Sequence, residues 1–208
     1  MARRSDHSRE ELQRLILDAA ISIIREGGKE SLTARRVSAK TGYVPGTIYN
    51  VFGSMDALIM HINAKTMDLL YHELSKPEAT KKDDVVENLL KLASAYRKFV
   101  ADNNNFWLLL FDTSLPDDRI ALDWYQGKVD KLFELIENIL SPVMTKGGPQ
   151  KLRMVSRILW SSFHGLCYLE EKGQFRTVGK STNLADMTEL LVESFMAGLQ
   201  NNKTFSKA

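Results

Sequence analysis

The chain has few of the features that mark a secreted, membrane-bound or zinc-binding protein. It contains a single cysteine, Cys167, in 208 residues, which excludes an internal disulfide and a multi-cysteine zinc site. No apolar run approaches the roughly 20 residues that a membrane-spanning helix needs. The first residues also lack the apolar stretch of a signal peptide. We therefore expect a cytoplasmic protein without a membrane partner, in which the Cys167 thiol is buried and unreactive.

Signatures of catalysis and of cofactor binding are absent as well. The sequence has no phosphate-binding loop, no dinucleotide-binding glycine pattern and no nucleophile elbow. Its four histidines are scattered without the spacing of metal ligands. We expect no enzymatic activity, no cofactor and no bound metal.

What the chain does contain is helical periodicity from end to end. Strand-like alternation is missing, and turn residues separate the amphipathic stretches. The sequence predicts an all-α fold of about nine helices, with a domain boundary in the polar stretch 76–84. The predicted helices cover 9–26, 33–40, 45–51, 54–75, 84–102, 104–113, 117–141, 149–172 and 183–201.

Two short helices joined by a glycine follow the long first helix. Thr33 can cap the first of them, Gly42 supplies the positive φ of a tight turn, and Pro45 suits a first helical turn. Ile48 and Phe52 are four residues apart and are expected to face inward. This is the pattern of a helix-turn-helix DNA reader, although many helical hairpins bind no DNA. The residues left on the other faces of the second short helix are Thr47, Tyr49, Asn50 and Val51.

Positive charge is concentrated beside this motif. Residues 1–52 hold nine Lys or Arg and six Asp or Glu, whereas the rest of the chain holds 19 basic and 20 acidic residues. Phosphate binding benefits from such an asymmetry, because Lys and Arg release counterions from DNA. An excess of three charges is small, however, and a solvated surface can also produce it.

The last two long helices are unusually apolar. They could belong to the core, or they could form half of an intermolecular four-helix bundle. A twofold dimer would suit a DNA reader, because its recognition helices match palindromic half-sites about 34 Å apart. The candidate dimer-interface residues are Ile158, Leu159, Phe163, Leu166, Leu191 and Phe195.

Aromatic residues cluster in the middle of the chain and recur near its end. They could line an apolar effector pocket between helices, or they could simply fill the core. For His164 the core interpretation is favoured, since it lies one helical turn after a tryptophan. The candidate pocket residues are Phe106, Trp107, Phe111, Trp124, Tyr125, Trp160 and His164.

The first 60 or so residues closely resemble the tetracycline-repressor (TetR) family of bacterial transcription regulators. The matching segments are S-L-T-A-R-R-V-S, then T-G-Y-V-P-G-T-I-Y-N-V-F, then D-A-L. The later segment L-W-S-S-F-H-G-L, over 159–166, resembles the WHG-type C-terminal domain of that family. Its three naming residues match Trp160, His164 and Gly165.

The resemblance implies a homodimeric repressor that binds a palindromic operator on double-stranded DNA. It further implies release from DNA when a small-molecule effector binds the C-terminal domain. Residues 1–53 would then form the DNA-binding domain, 54–76 a connecting helix, and 77–208 the effector-binding and dimerisation domain.

The resemblance also implies roles for single residues of the DNA reader. Thr33 would touch a phosphate and Tyr49 the DNA backbone. Base edges or sugars would be contacted by Pro45, Gly46, Thr47 and Asn50. Arg35 and Arg36 have no fixed role in the family, but their charge suits a surface that faces phosphates.

Three positions depart from the family pattern. Val44 stands where Ser or Thr is usual, Val51 where His is frequent, and Met55 where Lys is common. Each replacement removes a polar cap or a phosphate partner, which lowers the expected affinity. The alternative interpretation is a helical small-molecule-binding protein with a weakened DNA reader.

Overall fold

The computed structural model describes residues 7–76, 84–111, 119–144, 146–178 and 183–201, and their regular structure is entirely helical. The predicted all-α class is thereby confirmed over these residues. The polar stretch 76–84 lies, apart from its two end residues, outside them. The helices are α1 (Arg9–Gly27), α2 (Ala34–Thr41), α3 (Pro45–Phe52), α4 (Met55–Leu74), α5 (Val85–Asp102), α6 (Asn104–Phe111), α7 (Arg119–Leu140), α8 (Gly148–Glu171), α9 (Phe175–Val178) and α10 (Leu184–Asn201).

Side-chain caps determine where α1 and α4 begin. The Ser8 hydroxyl accepts the Glu11 N–H at 3.2 Å, and the Glu11 carboxylate accepts the Ser8 N–H at 2.8 Å. These hydrogen bonds with Ser8 hold the pKa of Glu11 below its usual value. Ser54 caps α4 by accepting the Ala57 N–H at 3.0 Å. Both caps satisfy backbone donors that a helix start leaves without a partner.

The chain divides into two compact units. The first unit comprises Met1–Asp68 and Asn103–Lys128, so that α6 belongs with the N-terminal helices. Leu109 of α6 is fully buried in the core of this unit. That core contains Ile16, Leu17, Ala20, Ile23, Ile24, Val37, Ile48, Phe52, Leu58, Ile59, Ile62 and Leu109.

The second unit comprises Leu69–Asp102 and Val129–Ala208. Within it α10 packs against both α5 and α8. Its core contains Leu89, Leu140, Val155, Leu159, Val192 and Met196. Among the described helices of the whole chain, none is long and apolar enough to cross a membrane.

The two compact units differ from the predicted domains 1–53 and 77–208. The division falls within α4, between Asp68 and Leu69, and the first unit includes a second chain segment. Compactness does not define which residues bind DNA or an effector, so the functional domains stay a prediction.

Candidate DNA-binding site

The short helix α2 is held at both ends as its sequence predicts. The Thr33 hydroxyl accepts the Arg36 N–H at 3.2 Å, which caps the first turn. Gly42 ends the helix at φ 76°, and its N–H donates to the Ser38 carbonyl at 2.9 Å. A side chain is disfavoured at that φ, so glycine allows the tight turn into α3.

The recognition helix α3 is anchored by its apolar side. Pro45 occupies the first turn, while Ile48 is fully buried and Phe52 nearly so. Eight residues are too few for a stable isolated helix, so this packing keeps α3 folded. Its N-cap is Val44, which makes no side-chain cap hydrogen bond.

The predicted DNA contacts of α3 lie on the opposite side from this anchor. Pro45, Gly46, Tyr49 and Asn50 are exposed, and Thr47 is half-buried. The space next to the α carbon of Gly46 is open. α3 therefore presents a surface of hydroxyl, amide and apolar groups without any charged side chain.

Cations that suit phosphate contacts are supplied by α2 instead. Thr33, Arg35 and Arg36 are all exposed. Lys40 is engaged elsewhere, because its ammonium donates to the Glu26 carboxylate at 2.9 Å and to Ser22 Oγ at 2.7 Å. The hydrogen bond from Lys40 lowers the pKa of Glu26, and the contacts of Lys40 link α2 to α1.

Two of the three residues that depart from the family pattern pack against the protein core. Val51 and Met55 are both half-buried and pack against the core of the first unit. Compared with the usual polar residues, they lack a polar contact but bury additional apolar surface at α3 and at the start of α4. Val44, in contrast, is exposed.

Five of the predicted pocket residues belong to the first unit. Trp107 is fully buried and lies edge-on to Phe111 at 5.6 Å between ring centroids. Tyr125 is buried and lies edge-on to Trp124 at 5.8 Å. Phe106 is half-buried, and the Arg25 guanidinium lies 5.8 Å from its ring centroid. For Trp107 and Tyr125 burial favours the core alternative, and their assignment to an effector pocket stays a prediction.

Trp160 and His164 belong to the second unit and lie together on α8. Their rings stack with centroids 4.9 Å apart, and Tyr96 Oη is 3.0 Å from His164 Nδ1. Burial lowers the pKa of His164 to about 4. The ring is therefore neutral near pH 7, as expected for a core histidine.

The predicted dimer residues divide into buried and accessible ones. Leu159 and Phe163 are buried within the protomer, so each offers little surface to a partner, and their assignment to the interface stays a prediction. Ile158 is 49% exposed, and Leu166, Leu191 and Phe195 are half-buried. Between α8 and α10 lies an open groove of about 360 Å³, lined by Ser162, Leu166, Met187, Leu190, Leu191 and Ser194.

Cys167 is buried, as the sequence predicts. Burial raises the pKa of its thiol to about 12. The reactive thiolate is therefore scarce at neutral pH.

Several contacts around the DNA reader could not be read from the sequence. His7 Nδ1 lies 2.7 Å from Tyr43 Oη in the turn between α2 and α3. Asn105 of α6 donates to the carbonyls of Ile24 and Arg25, at 3.1 and 3.3 Å. These pairs are 36 and about 80 residues apart, and no local pattern indicates such partners.

A histidine on α4 also contacts the recognition helix. The His61 ring lies edge-on to Phe52 and stacks on Trp124, each at 5.4 Å between centroids. Burial lowers the pKa of His61. The end of α3 is thus supported by an aromatic stack from α4 and α7.

A short helix with a buried apolar side, an exposed uncharged side and basic residues on the preceding helix is typical of a helix-turn-helix DNA-binding protein. Two family models match the chain. Residues 16–62 match "Bacterial regulatory proteins, tetR family", and residues 89–195 match "Tetracyclin repressor-like, C-terminal domain". The second match covers just over half of the chain and includes Trp160, His164 and Gly165. The chain belongs to the tetracycline-repressor family of transcriptional regulators, which confirms the resemblance to that family, and the WHG type of its C-terminal domain stays a prediction.

Individual relatives agree with this assignment. The chain is 25% identical over 193 residues to the uncharacterized HTH-type transcriptional regulator YobS of Bacillus subtilis (strain 168), covering 92% of this chain and 94% of that protein. Two solved structures share the fold. One is FadR from Thermus thermophilus in complex with lauroyl-CoA, at a TM-score of 0.66 and 18% identity, covering 94% of this chain and 99% of the other. The other is FadR from Bacillus subtilis in complex with stearoyl-CoA. Its TM-score is 0.64 and its identity 15%, and the match covers 89% of this chain and 98% of the other.

Proposed function

We propose that this regulator is a cytoplasmic homodimeric repressor that binds a palindromic operator and leaves it when a small molecule occupies the second unit. The observation that carries the proposal is the exposed side of α3, held in place by a buried side and flanked by the arginines of α2. Such a surface fits the major groove, with phosphate contacts beside it. A non-enzymatic role follows from the same assignment.

Individual contacts are proposed from exposure and chemistry. Thr33, Arg35 and Arg36 hold phosphates, since a hydroxyl or guanidinium donates to phosphate oxygens. Tyr49 packs on the DNA backbone. Base edges or sugars are met by Pro45, Gly46, Thr47 and Asn50.

Release from DNA is proposed to act through α4. This helix begins three residues after α3 ends, and its last residues belong to the second unit. A ligand that favours a different position of α4 would therefore change the spacing of the recognition helices in the dimer. A coupling of about 1–3 kcal/mol is enough for a 5–150-fold change in operator affinity. Lauroyl-CoA and stearoyl-CoA are the first effector probes, because two proteins with this fold hold them.

The experiment that tests the proposal measures fluorescence anisotropy with DNA from upstream of the protein's own gene, at 50 and 200 mM salt. The expected result is selective binding that weakens at the higher salt concentration, as phosphate contacts require. Tyr49→Ala is expected to weaken binding about tenfold or more, with little change in melting temperature, because Tyr49 is 46% exposed.

The matched control is Tyr71→Ala on α4, which removes a tyrosine that is 38% exposed. It is expected to leave operator affinity unchanged. Equal losses from both tyrosine variants would contradict the placement of α3 on DNA. Unselective binding by the wild-type chain, or no binding at 200 mM salt, would instead support the second candidate, a small-molecule-binding protein with a weakened DNA reader.

A further inference from the structure

The most exposed large apolar residue among those described is Val44, at 68%. It is the N-cap residue of α3 and has extended backbone angles, φ −75° and ψ 153°. Pro45 and Gly46, which follow it, are exposed too. The two methyl groups of Val44 therefore stand at the beginning of the recognition helix.

Valine is a poor choice for this position on stability grounds alone. Ser, Thr, Asp and Asn are preferred at N-caps, because their side chains accept a backbone N–H of the first turn. Val44 makes no such bond, and its exposure means that it adds little to the core. A contact outside the protomer would account for both observations.

The side chains of α3 indicate which bases the helix can recognise. The helix reads P-G-T-I-Y-N-V-F and has no Arg or Lys, the residues that most often read guanine O6 and N7. Asn50 is exposed, and an asparagine amide pairs with adenine N6 and N7. Apolar side chains recognise the 5-methyl group of thymine.

We infer that Val44 determines operator specificity by contacting the 5-methyl group of a thymine, within a half-site whose α3-facing base pairs are mainly A·T. This inference rests on the proposed binding of α3 in the major groove. The exposed methyl groups of Val44 suit such a contact with DNA. A Ser or Thr at this position would instead cap α3.

The experiment uses the full-length protein and an operator selected by that protein from random DNA. The thymine positions of the half-site are then tested one at a time. At each position thymine is replaced by deoxyuridine in both half-sites, which removes only the 5-methyl group. We expect one position at which wild-type affinity falls about fourfold per half-site, the effect of losing one buried methyl.

Two variants connect that position to Val44. Val44→Ala removes both γ-methyl groups, so it is expected to bind the thymine operator more weakly and to discriminate less between the thymine and deoxyuridine forms. Val44→Ser, which can cap α3, is expected to raise the melting temperature while also losing the discrimination. A loss of discrimination in a more stable variant separates DNA contact from helix stability.

Two results would overturn the inference while leaving the proposed function intact. One is selective wild-type binding that no deoxyuridine substitution weakens. The other is full thymine discrimination by Val44→Ala. If random DNA yields no selected operator at all, the proposed function itself fails, and the inference fails with it.

Discussion

At the scale of single residues, His164 shows how burial sets a protonation state. Its ring lies between Trp160 and Tyr168 on α8, with stacked neighbours on both sides, and it is paired with the Tyr96 hydroxyl. Burial disfavours the charged imidazolium, which explains the fall in its pKa from 6.5 to about 4.

This depressed pKa predicts a loss of stability in acid. Between pH 6.5 and 4, His164 is protonated in the unfolded chain but stays neutral in the folded chain. The free energy of unfolding therefore falls as the pH falls. The contribution is complete above pH 6.5 and is lost by about pH 4. Urea denaturation gives the free energy of unfolding at pH 7 and at pH 5. His164→Gln is expected to reduce the difference between these two free energies by about 1 kcal/mol, allowing for the partial exposure of the ring.

A direct measurement accompanies this comparison. The His164 ring signal in an NMR titration of the folded protein is expected to stay in the neutral form down to near pH 4. A midpoint near 6.5 would contradict the assignment of a desolvated ring. Because His61 has its pKa lowered by burial too, part of the acid sensitivity is expected to remain in the variant.

At the scale of elements, the two glycines of the helix-turn-helix have opposite roles. Gly42 lies in the left-handed region at φ 76°, where an added Cβ meets no neighbour but is disfavoured by the backbone itself. Gly46 lies within the first turn of α3 and is surrounded by open space. Only the first glycine is required by the fold.

Alanine substitution at each glycine is therefore expected to separate stability from binding. Gly42→Ala should lower the free energy of unfolding by about 1–2 kcal/mol, the cost of left-handed backbone with a side chain. Gly46→Ala should raise it by about 0.5 kcal/mol, since alanine favours helix. Gly46→Ala should nonetheless weaken operator binding, because its methyl group extends from the DNA-facing surface. Thermal denaturation and anisotropy check both effects, and unaltered binding by Gly46→Ala would mean that α3 does not approach DNA closely.

Local signals explain which elements could be predicted from the sequence. The cap at Thr33, the turn at Gly42 and Pro45 in the first turn place α2 and α3 within one residue of their observed ends. The sequence does not predict the single-turn helix Phe175–Val178, because four residues carry no periodicity. Nor does it predict the packing of α6 against α1 through Asn105, since a contact across about 80 residues leaves no local pattern.

The burial of the predicted site residues could be predicted only in part, for the same reason. The exposed residues of α3 follow from helical periodicity around Ile48 and Phe52, which sequence displays directly. Aromatic composition does not distinguish a pocket from a core, and Trp107 and Tyr125 proved to be buried. The half-buried positions of Val51 and Met55 also depend on tertiary neighbours that composition does not reveal.

At the scale of the whole molecule, recognition of a palindrome requires two copies of α3. The face formed by α8 and α10 is the candidate for joining them, because it leaves apolar side chains exposed on adjacent helices. Leu190 is 66% exposed beside the groove between these helices, and Ile158 is 49% exposed on α8. Pairing this face with its copy would complete a four-helix bundle.

Leu190→Glu is expected to break that bundle, because burying a carboxylate at an apolar interface without a partner is costly. Analytical ultracentrifugation should then give the single-chain mass of 23.6 kDa, against about twice that mass for the wild-type protein. Operator affinity should fall about 100-fold or more, because each monomer engages only one half-site. Leu69→Glu on α4, a leucine that is 46% exposed, is the matched control and should stay dimeric. A Leu190→Glu protein that keeps the dimer mass would show that another surface joins the two copies, and the spacing of the recognition helices would then have to be derived from that surface.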